Sequence, residues 1–437
     1  MARHFISFLG TNDYLPCTYY RTGEEMTPEV RFVQEAMAEI LCRRWSGEDR
    51  ITVFTTRDAL EKNWRDNGQR DREGKPLERL GLEQALSRRG LPCKVESIII
   101  PEGGSEDEIW QIFSTVLDAI QDQSSLYLDI THAFRSIPLL GTVVLHYAKV
   151  VKEASIEGIY YGAFEALGTP WEVKSIPVEE RLVPIFDLTP FVTLLDWSLA
   201  FDRFIGAGDA KPVSDLARKG VMPMLKATQG KDAVASAVRI MADRLEDFTL
   251  TLATCRGKGI SGAASRLQER LNDCKKVDVQ AEMIPLLEKV ETRMAPFAGD
   301  ATRDGVAAAR WCLDHSLYQQ GFTILSETLV SHVAAEAGLN PEERKDRIIA
   351  NQAAKIFKDN LLEDLWKPEA RSNAEKTKKC LAFFDGSEGL ADKILELAGL
   401  RNDINHAGFT QSAMPPRSVE SKLKNILEDV ESALGLS

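Results

Sequence analysis

From His4 to Phe186, short runs of β-branched and aromatic residues alternate with stretches whose apolar positions recur at helical spacing. The candidate strands are His4–Leu9, Ile51–Thr55, Val95–Ile100, Ser125–Ile130, Ile156–Tyr161, Val173–Pro177 and Leu182–Phe186. Between them, Pro28–Arg44 and Glu106–Gln121 carry one apolar face each, and Pro138–Val151 reads as a buried helix. Alternation of this kind predicts an α/β, Rossmann-like domain with a mostly parallel sheet and helices on both faces. The last strands follow one another closely, which predicts an antiparallel edge near residues 156–186.

From Asp187 onward strand-like runs stop and Leu/Ala-rich helical windows continue, so the second part is predicted to be all-α. Glycine or proline breaks these windows at Gly206–Pro212, Gly220–Pro223, Gly257–Gly262, Pro296–Gly305, Gly338–Pro341 and Gly386–Gly389. The polar stretch Arg371–Lys379 reads as a loop between helices.

Length and charge narrow the function. A chain of 437 residues is expected to hold two to four domains. With 54 Lys plus Arg against 66 Asp plus Glu, the net charge of -12 provides no long-range positive field. A non-specific nucleic-acid coat is therefore disfavoured, and any nucleotide or RNA must be held by a few positioned cations. Seven separated cysteines without a C-x-x-C pair fit reduced thiols and write no zinc site. The opening MARHFISFLGTND has too short an apolar run for a signal-peptide core, and Ile137–Val151, carrying His146 and Lys149, is too short to span a bilayer. The expected location is the cytoplasm, with no membrane partner and no metal.

Two segments of the α/β part carry candidate chemistry. Gly10, Thr11, Asn12 and Asp13 follow the first strand, where an open sheet binds ligands outside the carboxyl ends of its strands. Neither G-x-G-x-x-G nor G-x-x-x-x-G-K-[ST] is present, which disfavours a dehydrogenase or a P-loop ATPase. The second segment, Asp129-Ile-Thr-His-Ala-Phe-Arg-Ser-Ile-Pro138, joins a strand to a helix that starts just before Pro138. Its Thr131 and Ser136 hydroxyls and free backbone N–H groups suit an anion, Arg135 suits a forked phosphate contact, and His132 can donate to phosphate or ribose. The alternative is a helix cap beside a surface ion pair.

In the helical part, Arg401-Asn-Asp-Ile-Asn-His-Ala-Gly408 closes a helix whose Leu390, Ile394, Leu397 and Leu400 mark one face. Gly408 is placed to stop that helix just beyond His406. Five residues of helix turn Arg401 and His406 about 140° apart, so a site using both is expected to assemble from two copies of the chain. Asn402 and Asn405, each four residues from one of the pair, are candidates to orient them. A second R-x4-H, Arg310 to His315, encloses Trp311, Cys312 and Leu313 and reads as packed helix.

With these motifs in hand, the chain resembles the CARF-HEPN ribonucleases of the Csx type that accompany type III CRISPR systems. LGTNDY with the following PCTYY, then LDITHAFRSIP, YYGAFE and RNDINHAG, occur in that family's order. The resemblance implies a CARF domain over residues 1–188 that senses cyclic oligoadenylate, a helical connector over 189–284 and a HEPN ribonuclease domain over 285–437. It implies a ligand pocket lined by Gly10, Thr11, Asn12, Asp13, Thr131, His132, Phe134 and Arg135 and shared across a two-fold axis. Arg401 and His406 would form the catalytic pair with Asn402 and Asn405 in support, and the helix carrying Tyr318, Gln319, Gln320 and Glu327 would pack beside them. No cofactor is implied beyond the activator, for which cyclic tetra-adenylate is the commoner ligand among the members this chain most resembles. The expected partners are single-stranded RNA and further copies of the chain, as a homodimer or higher oligomer. Two alternatives stand beside this: a sensing protein without nuclease activity, and a protein that also degrades its own ligand in the CARF pocket. A plain α/β oxidoreductase is disfavoured by the missing glycine fingerprint.

Overall fold

The computed structural model describes residues 1–23, 26–71, 73–131, 137–409 and 413–436. It divides into two compact units, Met1–Thr193 and Leu194–Ser437.

The first unit is built on seven strands, β1 (Arg3–Leu9), β2 (Thr18–Tyr20), β3 (Arg50–Thr55), β4 (Lys94–Ile99), β5 (Ser125–Asp129), β6 (Ser155–Gly162) and β7 (Leu182–Asp187). Their spatial order is β2-β7-β6-β5-β1-β3-β4. The run from β4 to β6 is parallel, with Phe5 opposite Ile51 and Ile6 opposite Leu128, and β7 lies antiparallel to β6. Alternation along β1 feeds two cores, Phe5 and Leu9 toward one face and Ile6 and Phe8 toward the other. The first face is covered by α1 (Val33–Cys42), the short α2 (Arg57–Ala59) with the turn Leu60–Trp64, and α3 (Leu82–Arg88). The second is covered by α4 (Glu106–Ala119) and α5 (Ile137–Val151). The chain steps outward from β1 to β3 and β4 and then returns to β5 on the other side of β1, so the strand order reverses between β1 and β5.

The segment Val173–Pro177 is not a strand. Its start belongs to α6 (Pro170–Lys174), where the Thr169 side chain and Glu172 form a capping box ahead of a first-turn proline. That cap outweighs the β-branched run behind it. The short β2 carries no run of its own and forms by pairing with β7.

The second unit is helical, as the pattern predicts. Its helices are α7 (Thr189–Ala207, which begins in the first unit), α8 (Lys211–Ala227), α9 (Ala233–Ala253), α10 (Ile260–Cys274), α11 (Ile284–Met294), α12 (Ala301–Asp314), α13 (Tyr318–Glu336), α14 (Arg344–Lys358), α15 (Pro368–Ser372), α16 (Ala374–Asp385), α17 (Glu388–Asn405) and α18 (Pro416–Ala433). One core gathers α7 to α12 around Phe204, Phe248 and Trp311; the other gathers α12 to α14 and α16 to α18 around Phe322, Leu329, Ile394 and Leu427, and Ala370 of α15 packs in a small cluster with Ile356 and Trp366. The expected division after residue 284 falls at the first residue of α11, whose Leu287, Val290 and Met294 pack into the first of these cores. The hairpin of α12 and α13 belongs to both. Gly305 lies inside α12 rather than ending a helix, because a Cβ there would stand 2.2 Å from Thr328 Oγ1 of α13.

Two expected interruptions are absent. Pro223 lies within α8, which keeps its course with Val213, Ala217 and Leu225 buried. Arg371–Lys379 is mostly helix: Ala370, Thr377, Cys380 and Phe384 are buried at helical spacing while the lysines face outward, and only Asn373 breaks α15 from α16.

Candidate functional site

The sheet unit brings two of the motifs together. Gly10–Asp13 leaves the carboxyl end of β1, and Thr131 leaves that of the adjacent, parallel β5. This is the reversal point of the sheet, where an open α/β fold leaves a crevice. Beneath it, buried Asp129 accepts from the Ser7 hydroxyl (2.7 Å) and the Thr131 N–H (2.9 Å). Burial pushes the Asp129 carboxyl up from its ordinary range, while the hydrogen bonds from Thr131 and Ser7 pull the other way. The Thr131 hydroxyl is turned to structure, since it accepts from Gly162 N–H at 2.8 Å. Gly162 has no room for a side chain; a Cβ would stand 2.5 Å from Val33 Cγ2. An open cavity of about 580 Å³ lies beside Thr131 and is lined also by Phe164, Glu165, Thr169 and Glu172.

The Gly10–Asp13 loop is held by residues that local patterning does not single out. Gly10 N–H donates to the Tyr14 hydroxyl (2.9 Å), and Asn63 Nδ2 donates to the carbonyls of Gly10 (2.8 Å) and Asn12 (2.9 Å). Gln69 reaches the carbonyls of Thr11 and Asn12 at 3.4 and 3.3 Å. Arg31 fixes Asn63 from behind, donating to its side-chain oxygen (3.2 Å) and to Leu80 O (3.0 Å). Asp13 is paired with Arg79 (2.5 Å) and lies 3.6 Å from Lys174. His132, Phe134 and Arg135, with Ser136, lie outside the described residues.

In the helical unit, α17 ends at Asn405 and His406 is its cap residue, as the Gly408 position predicts. Ala407 and Gly408 both take positive φ, and Gly408 N–H donates back to Asp403 O at 3.0 Å, closing the last turn. Leu390, Ile394 and Leu397 anchor the helix in the core. His406 and Asn402 are exposed, and so is Phe409, with 92% of its surface free. Arg401 turns the other way and pairs with Glu327 of α13. Glu327 also pairs with Arg347 of α14, which donates to the Ser331 hydroxyl and to Pro341 O as well. Asn405 accepts from Gln319 of α13 at 3.2 Å. The spacing offered Asn405 as the partner of Arg401; the structure gives that place to Glu327.

The other R-x4-H is absorbed in packing. Arg310 pairs with Glu431 at 2.5 Å, and buried His315 lies with its ring nitrogens 2.7 and 3.0 Å from the carbonyls of Trp311 and Ile205.

No family model matches the chain. It is similar to the CRISPR-associated protein MJ1674 of Methanocaldococcus jannaschii, with 25% identity over 244 residues, 55% of this chain and 33% of that protein. The chain thus spans about a third of the length of that curated relative. Among the described residues no helix is long and apolar enough to cross a membrane.

Sequence reasoning placed Glu327 beside the motif helix but did not identify its pairing, and it missed Arg347, Asn63, Gln69, Arg79 and Lys174. Each of these acts on a segment far along the chain, and no local spacing marks such a contact. The Glu327 cluster yields a direct expectation. Glu327→Ala leaves two guanidiniums facing one another without their carboxylate, and because all three side chains are partly solvated the loss of stability is expected to be about 1 kcal/mol. Chemical denaturation of wild type, Glu327→Ala and the Glu327→Ala/Arg401→Ala double variant measures it. The double variant is expected to be no less stable than the single, since one stranded cation is removed with its partner.

Proposed function

We propose that this chain is a CRISPR-associated endoribonuclease of the type III antiviral response, activated by cyclic oligoadenylate and cutting single-stranded RNA without a metal. The observation that carries the reading is the setting of Arg401 and His406: a permanent cation and an exposed imidazole at the end of α17, in a helical unit that follows a Rossmann-like sheet unit. The likeness to a CRISPR-associated protein supports the biological setting. The motif loops at the reversal point of the sheet support the sensing half.

The chemistry follows from what RNA brings. Its 2′-oxygen attacks the adjacent phosphorus while the bond from phosphorus to the 5′-oxygen breaks; the 2′-hydroxyl gives up a proton and the leaving oxygen takes one. Arg401 supplies charge to the phosphoryl oxygens in a planar fork, exchanging Glu327 for substrate as it does so. His406 serves in proton transfer or as a second cation. Because α17 directs the two apart, the working site takes Arg401 and His406 from both protomers of a dimer. An apolar stripe on α5 supports self-association of the sheet unit: Leu139, Val143, Tyr147 and Val150 are each about half exposed or more.

Product ends test the reading. Cleavage in excess EDTA is expected to proceed unchanged and leave a 2′,3′-cyclic phosphate or 3′-phosphate on one fragment and a 5′-hydroxyl on the other. A 5′-phosphate, or loss of cleavage on chelation, contradicts it.

A further inference from the structure

We infer that Arg79 and Lys174 are phosphate-binding cations of the nucleotide pocket, and that Asp13 holds both in place until a ligand phosphate displaces it. The inference rests on the sensing half of the proposed function and adds residues to that site. It starts from a mismatch of sign. Asp13 stands at the carboxyl edge of β1, where an oligonucleotide ring would lie, and a carboxylate there repels phosphate. The structure resolves the mismatch by giving Asp13 two cations, Arg79 at 2.5 Å and Lys174 at 3.6 Å.

The two cations come from separate segments. Arg79 lies at the base of a hairpin in which Asn67 N–H donates to Arg79 O and Leu77 N–H to Gln69 O. Lys174 ends α6, beyond the carboxyl end of β6. Among the described residues, Asp13 is the group that pairs with both at the β1 loop. Glu165 and Glu172 line the cavity beside Thr131, and Glu172 is already committed to the α6 cap, where it accepts from Thr169 N–H at 2.8 Å; Glu29 and Glu35 share the cavity that Arg79 lines, and Glu35 is paired with Arg89 at 2.8 Å. Gln69 ties the hairpin to Asn12 O and to the Asn63 side chain, which itself holds the carbonyls of Gly10 and Asn12, so Arg79 can change partner while the hairpin stays docked. In a protein of net charge -12, a multiply charged ring needs such local cations. A phosphate that takes Arg79 and Lys174 replaces one anion by another and releases the Asp13 carboxylate, which gives the pocket a side chain that responds to occupancy.

The test is the affinity of the full-length protein for cyclic tetra-adenylate and cyclic hexa-adenylate, by calorimetry at two salt concentrations, for wild type, Arg79→Gln, Lys174→Gln and Asp13→Asn. Arg79 and Lys174 are 36% and 53% exposed, so each variant is expected to fold, which thermal melting checks. Arg79→Gln and Lys174→Gln are each expected to weaken binding of the ring that wild type prefers about tenfold and to flatten its salt dependence. Asp13→Asn is expected to tighten binding about twofold to fivefold, because the competing carboxylate is gone. Unchanged affinity in both cation variants, or weaker binding in Asp13→Asn, overturns the inference while leaving the sensing role intact. Wild-type protein that binds neither ring overturns both.

Discussion

His406→Ala is expected to lower activated RNA cleavage about 10²- to 10⁴-fold, and Arg401→Ala about 10²- to 10³-fold, measured as single-turnover rates at saturating activator. The imidazole is exposed at the end of a helix that Leu390, Ile394 and Leu397 anchor, so its removal leaves the fold untouched. Arg401 is half-buried, and its loss also frees Glu327, but Arg347 remains on that carboxylate and keeps it neutralised. Arg401→Lys is expected to recover little, since an ammonium cannot present the planar pair of donors that a phosphoryl group accepts. A loss smaller than about tenfold in both alanine variants would place the chemistry elsewhere.

The second large effect is on activation. Arg135→Ala is expected to weaken cyclic oligoadenylate binding about 10- to 100-fold, the size of a lost hydrogen bond between charged groups, and to remove the response at sub-saturating activator. Arg135 lies outside the described residues, so the expectation rests on the sequence: an arginine in the segment between β5 and α5, close to the start of a helix. Equal activation of wild type and Arg135→Ala would contradict it. If Arg79 and Lys174 share the phosphates, each single loss is smaller than the combined one, and the triple variant is expected to bind least.

The sheet was legible because its strands are short apolar runs on a chain that alternates strongly, and those at Phe5, Ile51 and Leu126 pair in parallel as the pattern predicts. What the pattern misread was decided by competing local or tertiary terms. At Val173 a capping box one turn earlier set a helix. At Pro223 burial of Val213, Ala217 and Leu225 carried the helix past a residue that ordinarily stops it. At Thr377 a side chain that looked like part of a polar loop is fully buried, its hydroxyl donating to Ala370 O at 2.8 Å. The helix end at His406 was visible from Gly408, because a stop signal is local.

The site residues divide along the same line. Candidate motif residues at strand and helix ends are marked by local sequence and by the resemblance, since an end is where backbone groups and side chains reach solvent together. Their partners are not. Glu327 and Arg401 are 74 residues apart, and Asp13 and Arg79 are 66 apart, so only the fold makes them neighbours. For the same reason the pairing of Arg401 with Glu327, rather than with Asn405 four residues along its own helix, is tertiary information.

The most direct measurement is cleavage of a fluorescent single-stranded RNA by the purified full-length protein, with and without cyclic tetra-adenylate or cyclic hexa-adenylate, in EDTA and beside His406→Ala. The account predicts cleavage that depends on one of the rings, is indifferent to the chelator and disappears in the variant. Binding of a ring without any cleavage, or cleavage that His406→Ala retains in full, would contradict it.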